Sequence, residues 1–190
     1  LTLENRNTFA GCSLLNTVVT SADSEIEELN AGAFGPDSHG SYVQAPVESI
    51  EINGTVNTLN FSALSSLKSL TINDKNTWFG YALPSTFENL VITGDSWSVG
   101  DYQFQSSAPV KHLTVFADNV SAADKSEDAF RSNSNLETAQ FTGTTVNLPK
   151  KMFMGCTGLK WLDLSAVDTL TVGSGCFGDD NNENYEVVKG

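Results

Sequence analysis

Three cysteines, two histidines and an excess of carboxylates are the groups in this chain that could do covalent, acid–base or metal chemistry. Cys12 and Cys156 lie in matching surroundings, FAGCSLLNTV from Phe9 and FMGCTGLKWL from Phe153. A reactive or zinc-binding cysteine needs a base or further ligands at defined spacing, yet no CxxC occurs, and His39 and His112 fall in unrelated contexts. Asp37-Ser38-His39 has the residue types of a nucleophile, a base and its orienting acid, but it is enclosed by Pro36 and Gly40 in a turn-rich stretch and reads as loop. Asp180, Asn182 and Asn184 alternate as the first ligands of a calcium loop do; the Gly and distal Glu of such a loop are missing, which favours a solvated loop. With no GxSxG, HExxH or GxxxxGKS/T either, no catalytic residue, metal or cofactor is assigned, and a non-enzymatic role is expected.

The matching cysteine segments are two occurrences of a repeat. From each aromatic anchor an apolar residue follows after six positions, another after three more, and in most units a third two further on, giving F-x5-L-x2-L-x-L. Phe61 leads to Leu67, Leu70 and Ile72, and Phe104 to Val110, Leu113 and Val115. The anchors Phe9, Phe34, Phe61, Tyr81, Phe104, Phe130, Phe153 and Phe177 recur every 20 to 27 residues, within the leucine-rich-repeat range of about 20 to 29. Phe34 fits only with an insertion, GPDSHGSYVQAP over residues 35–46, and Tyr185, Val187 and Val188 are candidates for the strand of a partial last unit. The expected organisation is one domain over residues 1–190, of about seven units and that partial one.

Several units carry a second signature before the aromatic: IEELNAGAF from Ile26 to Phe34, Val99-Gly100 ahead of Phe104, and Val172-Gly173 ahead of Cys176-Phe177. These segments resemble the I-G-x-x-A-F-x-G-C-x-x-L-x-x-I-x-I unit of BspA-like leucine-rich repeats, over nearly the whole chain. Asn133 and Ser107 stand where Cys12 and Cys156 stand, and Tyr81 replaces Phe, so the pattern is that of a divergent member. The resemblance implies a repeat solenoid with a role at a bacterial cell surface.

Elementary geometry leads to the same architecture. In L-x2-L-x-L the last two apolar residues alternate and share one face of a strand, which a single unit cannot bury. Stacked units bury it by setting their strands side by side. The expected fold is therefore a β-rich repeat solenoid, a right-handed leucine-rich-repeat-like stack with a parallel sheet on one face and little regular helix. The anchors, Trp97, Cys12 and Cys156 should lie inside it, and Trp78 over an edge. The cysteines are then small buried hydrophobes. A Cys12–Cys156 bridge would have to span the stack, beyond the roughly 7 Å that a disulfide allows between Cα atoms, while a Cys156–Cys176 bridge between neighbouring units stays open.

Ten basic against twenty-three acidic residues leave a net charge of −13, and the basic residues look scattered; both argue against a nucleic-acid partner, which needs clustered Lys and Arg. No apolar run reaches the 18 or so residues of a membrane span. Polar positions are filled by Ser, Thr, Asn and Asp more than by Lys and Glu, a bias that fits an extracellular or cell-surface bacterial protein. Leu1-Thr2-Leu3 reads as the tail of a preceding half-unit, which implies an upstream signal segment, lipid-anchor region or further repeats.

What remains is the outward face of the strands. The register places Thr17, Ser49, Ser69, Asn89, His112, Thr138 and Trp161 in a first row, Val19, Glu51, Thr71, Val91, Thr114, Gln140 and Asp163 in a second, and Ser21, Asn53, Asn73, Thr93, Phe116, Thr142 and Ser165 in a third. Most are small and polar. His112, Phe116 and Trp161 are the exceptions, and with Thr114, Gln140 and Asp163 they form the candidate binding face for a protein or glycan, unless a flanking loop or unit covers them. The alternative is an architectural spacer within a larger surface protein. An incompletely capped stack end also invites self-association.

Overall fold

The computed structural model describes residues 8–35, 43–73, 83–100, 104–105, 108–122 and 128–178. Among them the strands run β1 (Thr17–Val19), β2 (Glu25–Asn30), β3 (Ser49–Ile52), β4 (Thr55–Asn60), β5 (Ser69–Asn73), β6 (Asn89–Thr93), β7 (Ser96–Val99), β8 (His112–Val115), β9 (Asn119–Ala122), β10 (Thr138–Phe141), β11 (Thr145–Leu148), β12 (Trp161–Asp163) and β13 (Thr169–Val172). The one helical piece among the described residues is a 3-10 turn at Ala31–Phe34, capped by the Asn30 side chain. The chain is a solenoid of parallel strands.

The main sheet has the order β1-β3-β5-β6-β8-β10-β12. Its register does not slip because the distance from anchor to strand is constant: eight residues separate Phe61 from Ser69, Phe104 from His112, Phe130 from Thr138 and Phe153 from Trp161. Just ahead of each strand one backbone carbonyl accepts two amides of the next unit. Glu48 O takes Lys68 N and Ser69 N, Lys68 O takes Glu88 N and Asn89 N, and the pattern runs on through Lys111 and Glu137 to Lys160 and Trp161.

The parallel sheet expected on one face is present, and the returning segments form sheets as well. Strands β7, β9, β11 and β13 pair in parallel, and β2 pairs with β4. The cause is visible in Ser96-Trp97-Ser98-Val99 and Thr145-Val146-Asn147-Leu148, where apolar residues alternate with polar ones and turn to the inside. Trp97 is buried through this second sheet, next to Val120 in the adjoining strand.

The core lies between the sheets. Ile50, Leu70, Leu90, Leu113 and Ala139 form one inward row and Ile52, Ile72, Ile92, Val115 and Phe141 the next, all buried. The anchors Phe34, Phe61, Phe104, Phe130 and Phe153 are buried, and Phe130 stacks on Phe104 at 4.8 Å and on Phe153 at 5.7 Å between ring centroids. Phe9 is partly buried against Phe34 at 5.6 Å. Phe177, expected inside, is 46% exposed: Phe153 covers one side of its ring and no later anchor follows among the described residues. Tyr81 and Trp78 lie outside the described residues, as do most of the 35–46 insertion and the sequence beyond residue 178.

Residues flanking Phe9, Phe130, Phe153 and Phe177 take left-handed backbone. Two positions after the anchor, Gly11, Ser132 and Gly155 have φ of 79°, 58° and 70°; two positions before it, Asp128, Lys151 and Gly175 have 66°, 58° and 67°. The Gly of F-x-G-C, at Gly11 and Gly155, is thus the residue best suited to the bend made there.

Candidate functional site

The outward rows are set by strand pairing. Thr17, Ser49, Ser69, Asn89, His112, Thr138 and Trp161 are successive pairing partners, and so are Val19, Glu51, Thr71, Val91, Thr114, Gln140 and Asp163. His112 and Trp161 are therefore two strand spacings apart, about 10 Å. Between them Thr138 Oγ1 hydrogen-bonds His112 Nδ1 at 2.9 Å. Trp161 is 50% exposed and Phe116, just past β8, is 52% exposed. Thr114 is half-buried on the same strand.

Asp163 is held in place by its neighbours. One carboxylate oxygen accepts from the Ser165 hydroxyl at 2.6 Å and its backbone amide at 2.9 Å, and the other from Gln140 Nε2 at 3.1 Å. The Ser165 hydrogen bonds, more than that from Gln140, hold the carboxyl below its usual range, so Asp163 is a fixed negative acceptor and not a proton carrier near neutral pH.

The third row departs from the expected outward face. Strands end near their second inward residue, and the side chains there fold back on the preceding unit: Asn73 is buried and its amide donates to Asn53 O and Gly54 O, Thr93 Oγ1 donates to Ile72 O, and Thr142 Oγ1 to Val115 O. Phe116 holds the same place in the repeat without a polar group to donate, and its ring projects instead.

Three of the lysines, Lys68, Lys111 and Lys160, share a row with three glutamates. Glu48, Lys68, Glu88, Lys111, Glu137 and Lys160 each immediately precede a strand of the main sheet, so they line one edge of the outward face with alternating sign. Lys68 Nζ reaches Glu48 at 3.2 Å, Lys111 reaches Glu88 at 2.7 Å, and Lys160 reaches Glu137 at 3.0 Å. The Lys111 hydrogen bond lowers the Glu88 carboxyl, the Lys160 hydrogen bond lowers that of Glu137, and Glu88 raises the Lys111 ammonium. Residues 20 to 26 apart in sequence carry this row, and only superposing the units would have revealed it.

The cysteines divide. Cys12, expected inside, is exposed, because no earlier unit covers it among the described residues. Cys156 is partly buried and its thiol donates to Phe130 O at 3.0 Å; Cys176 is buried. Burial pushes the Cys156 thiol up to about 11 and the Cys176 thiol to about 12, so neither is a thiolate at neutral pH. All three are free, without the Cys156–Cys176 bridge. Among the described residues no three His, Cys, Asp or Glu side chains gather as a metal site would need, and no helix is long and apolar enough to cross a membrane, which says nothing of β-barrels. Asp37-Ser38-His39 and the acidic stretch at Asp180, Asn182 and Asn184 lie outside the described residues.

Parallel strands stacked on a ladder of anchor aromatics, with inward leucines at fixed spacing, define a leucine-rich-repeat solenoid. The sequence matches six copies of the BspA type leucine rich repeat region, over residues 38–160 and 79–188, and the chain belongs to that family. Leucine-rich repeat proteins of this kind are in general interaction or surface modules and not enzymes. Among solved structures the chain is similar to the T. pallidum leucine rich repeat protein, with 15% identity, a TM-score of 0.37, and coverage of 86% of this chain and 77% of that one. It is also similar to a leucine-rich repeat protein from Bacteroides ovatus ATCC 8483, with 12% identity, a TM-score of 0.30, and coverage of 89% and 65%. No curated protein matches the chain.

Proposed function

We propose that this solenoid is a non-enzymatic recognition or adhesion module, extracellular or at a bacterial cell surface, which binds a protein or glycan through the outward face at His112, Thr114, Phe116, Gln140, Trp161 and Asp163. The observation that carries the reading is the half-exposure of two large aromatics at places that the repeat otherwise fills with small polar residues. Such side chains contribute contact area at low entropic cost. Asp163 and Gln140, held by each other, supply oriented polar groups beside Trp161.

The test is a binding survey of the chain against immobilised extracellular proteins and glycans, followed by Trp161→Ala and Phe116→Ala. Any partner found should be lost at least tenfold in affinity, about 1.4 kcal/mol, with the melting temperature kept. The lack of outward aromatics along β3, β5 and β6, which present Ser49, Glu51, Ser69, Thr71, Asn89 and Val91, favours a second reading, a spacer that only sets length in a larger surface protein. That reading prevails if no partner is captured and both substitutions are silent.

A further inference from the structure

Trp161, Gln140 and Phe116 fall on one diagonal of the outward face. Trp161 belongs to the first row on β12, Gln140 to the second on β10, and Phe116 to the third, just past β8; these three strands are neighbours in the sheet. The amide of Thr142 bonds Val115 O, so the register of β8 with β10 carries on to the level of Phe116. Each step along the diagonal crosses one strand spacing, about 4.8 Å, and advances two residues, about 6.6 Å, which sets the two rings about 16 Å apart with Gln140 midway. The next diagonal on one side, Thr138, Thr114 and Thr93, is made of threonines alone, and Asp163 and Thr142 border the other side.

Each ring is half exposed among side chains that hydrogen-bond, so the apolar surface is two separate platforms and not one patch. The anchors of a protein partner cluster in a desolvated pocket sealed by a rim; rings about 16 Å apart on an open strand face do not converge on one. A pyranose suits each platform, because its C–H face covers an aromatic ring while the hydroxyls around its edge meet the polar neighbours. Beside Trp161 those neighbours are oriented in advance: Ser165 and Gln140 fix the Asp163 carboxylate, which lowers the ordering cost of binding. That carboxylate and the net charge of −13 repel an acidic chain.

We propose that the ligand of this face is a neutral linear glycan of hexose or N-acetylhexosamine units, laid along the diagonal with one sugar on Trp161, another on Phe116, and those between them hydrogen-bonded to Gln140 and Thr114. The inference rests on the reading of these residues as the binding face and narrows it to one class of ligand. The two rings then act as linked sites. A chain that reaches both gains the advantage of effective concentration, and one too short to span them does not.

Calorimetric titration of the whole chain with unbranched neutral oligosaccharides of glucose, mannose and N-acetylglucosamine, in both anomeric linkages and from disaccharide to octasaccharide, tests this. In at least one series the affinity should rise about tenfold or more from the shortest members to the longest. Trp161→Ala and Phe116→Ala should each remove that rise, leaving long chains bound as weakly as short ones, whereas Trp161→Tyr should keep most of it. An unchanged melting temperature checks that each variant is folded. Sulfated or uronic-acid chains of equal length should bind about tenfold more weakly at low salt; tighter binding by them overturns the neutral ligand. Silence from every series, an affinity independent of chain length, or a rise that survives both alanine substitutions overturns the proposal. If a captured protein is lost on the same two substitutions while every glycan is silent, the recognition face stands and its glycan ligand falls.

Discussion

Asn133 and Cys156 occupy one place in the repeat and make the same contact with different atoms. Asn133 Nδ2 donates to Phe104 O at 2.9 Å, as the Cys156 thiol donates to Phe130 O. Asn133 also accepts from the amides of Asn135 and Leu136 at 3.0 and 3.2 Å, and it is fully buried. Asn133→Ala would strand these groups, at roughly 1–3 kcal/mol for each one left buried without a partner. Asn133→Cys keeps one donor and should lose less, an order that urea unfolding of the two variants checks. Reading the position as a hydrophobic pocket for small side chains missed this role, since cysteine's weak hydrogen bond leaves no mark in an apolar pattern. Asn133, a strongly polar residue in a core place, carried the clue.

At the scale of the strand, the charged row stabilises the register through pairs that are largely open to solvent. The Glu88 and Glu137 carboxyls have folded pKa values below their unfolded ones. Their contribution is therefore present above the unfolded carboxylate range and is lost as pH falls through the folded values. Replacing Lys68, Lys111 and Lys160 together by Gln should lower the melting temperature near pH 7, and the gap from the parent should close as the pH drops below about 4. One molar salt should narrow it as well. A gap that is constant with pH would refute the ion pairing. The strands themselves were legible because anchor spacing and the two inward leucines determine where each begins and which way it faces. The charged row was not, because it emerges only when units twenty or more residues apart stand next to each other. The second sheet had its signal in the alternation around Trp97 and Val146, but short Ser- and Thr-rich stretches resemble turns until a neighbour pairs with them. Of the candidate face, the two outward rows were readable and the third was not, since strand alternation says nothing about side chains that fold back onto a carbonyl.

As a whole the molecule is a one-dimensional stack in which each unit depends on its neighbours. Phe130 is a fully buried link, packed between Phe104 and Phe153. Phe130→Ala should cost about 3–5 kcal/mol, a large part of the roughly 5–15 kcal/mol that holds a domain together. A break in the middle also separates two half-stacks, so unfolding should lose cooperativity and the urea slope should fall. If the variant unfolds as steeply and as late as the parent, the anchor ladder does not carry the coupling between units.

The alternation of Glu48, Lys68, Glu88, Lys111, Glu137 and Lys160 has a period of two units, not one. Deleting or duplicating one internal unit sets like charges side by side, while a change of two units keeps every pair matched. The solenoid is a ruler graduated in pairs, and its length is most freely inherited, or engineered, in double steps.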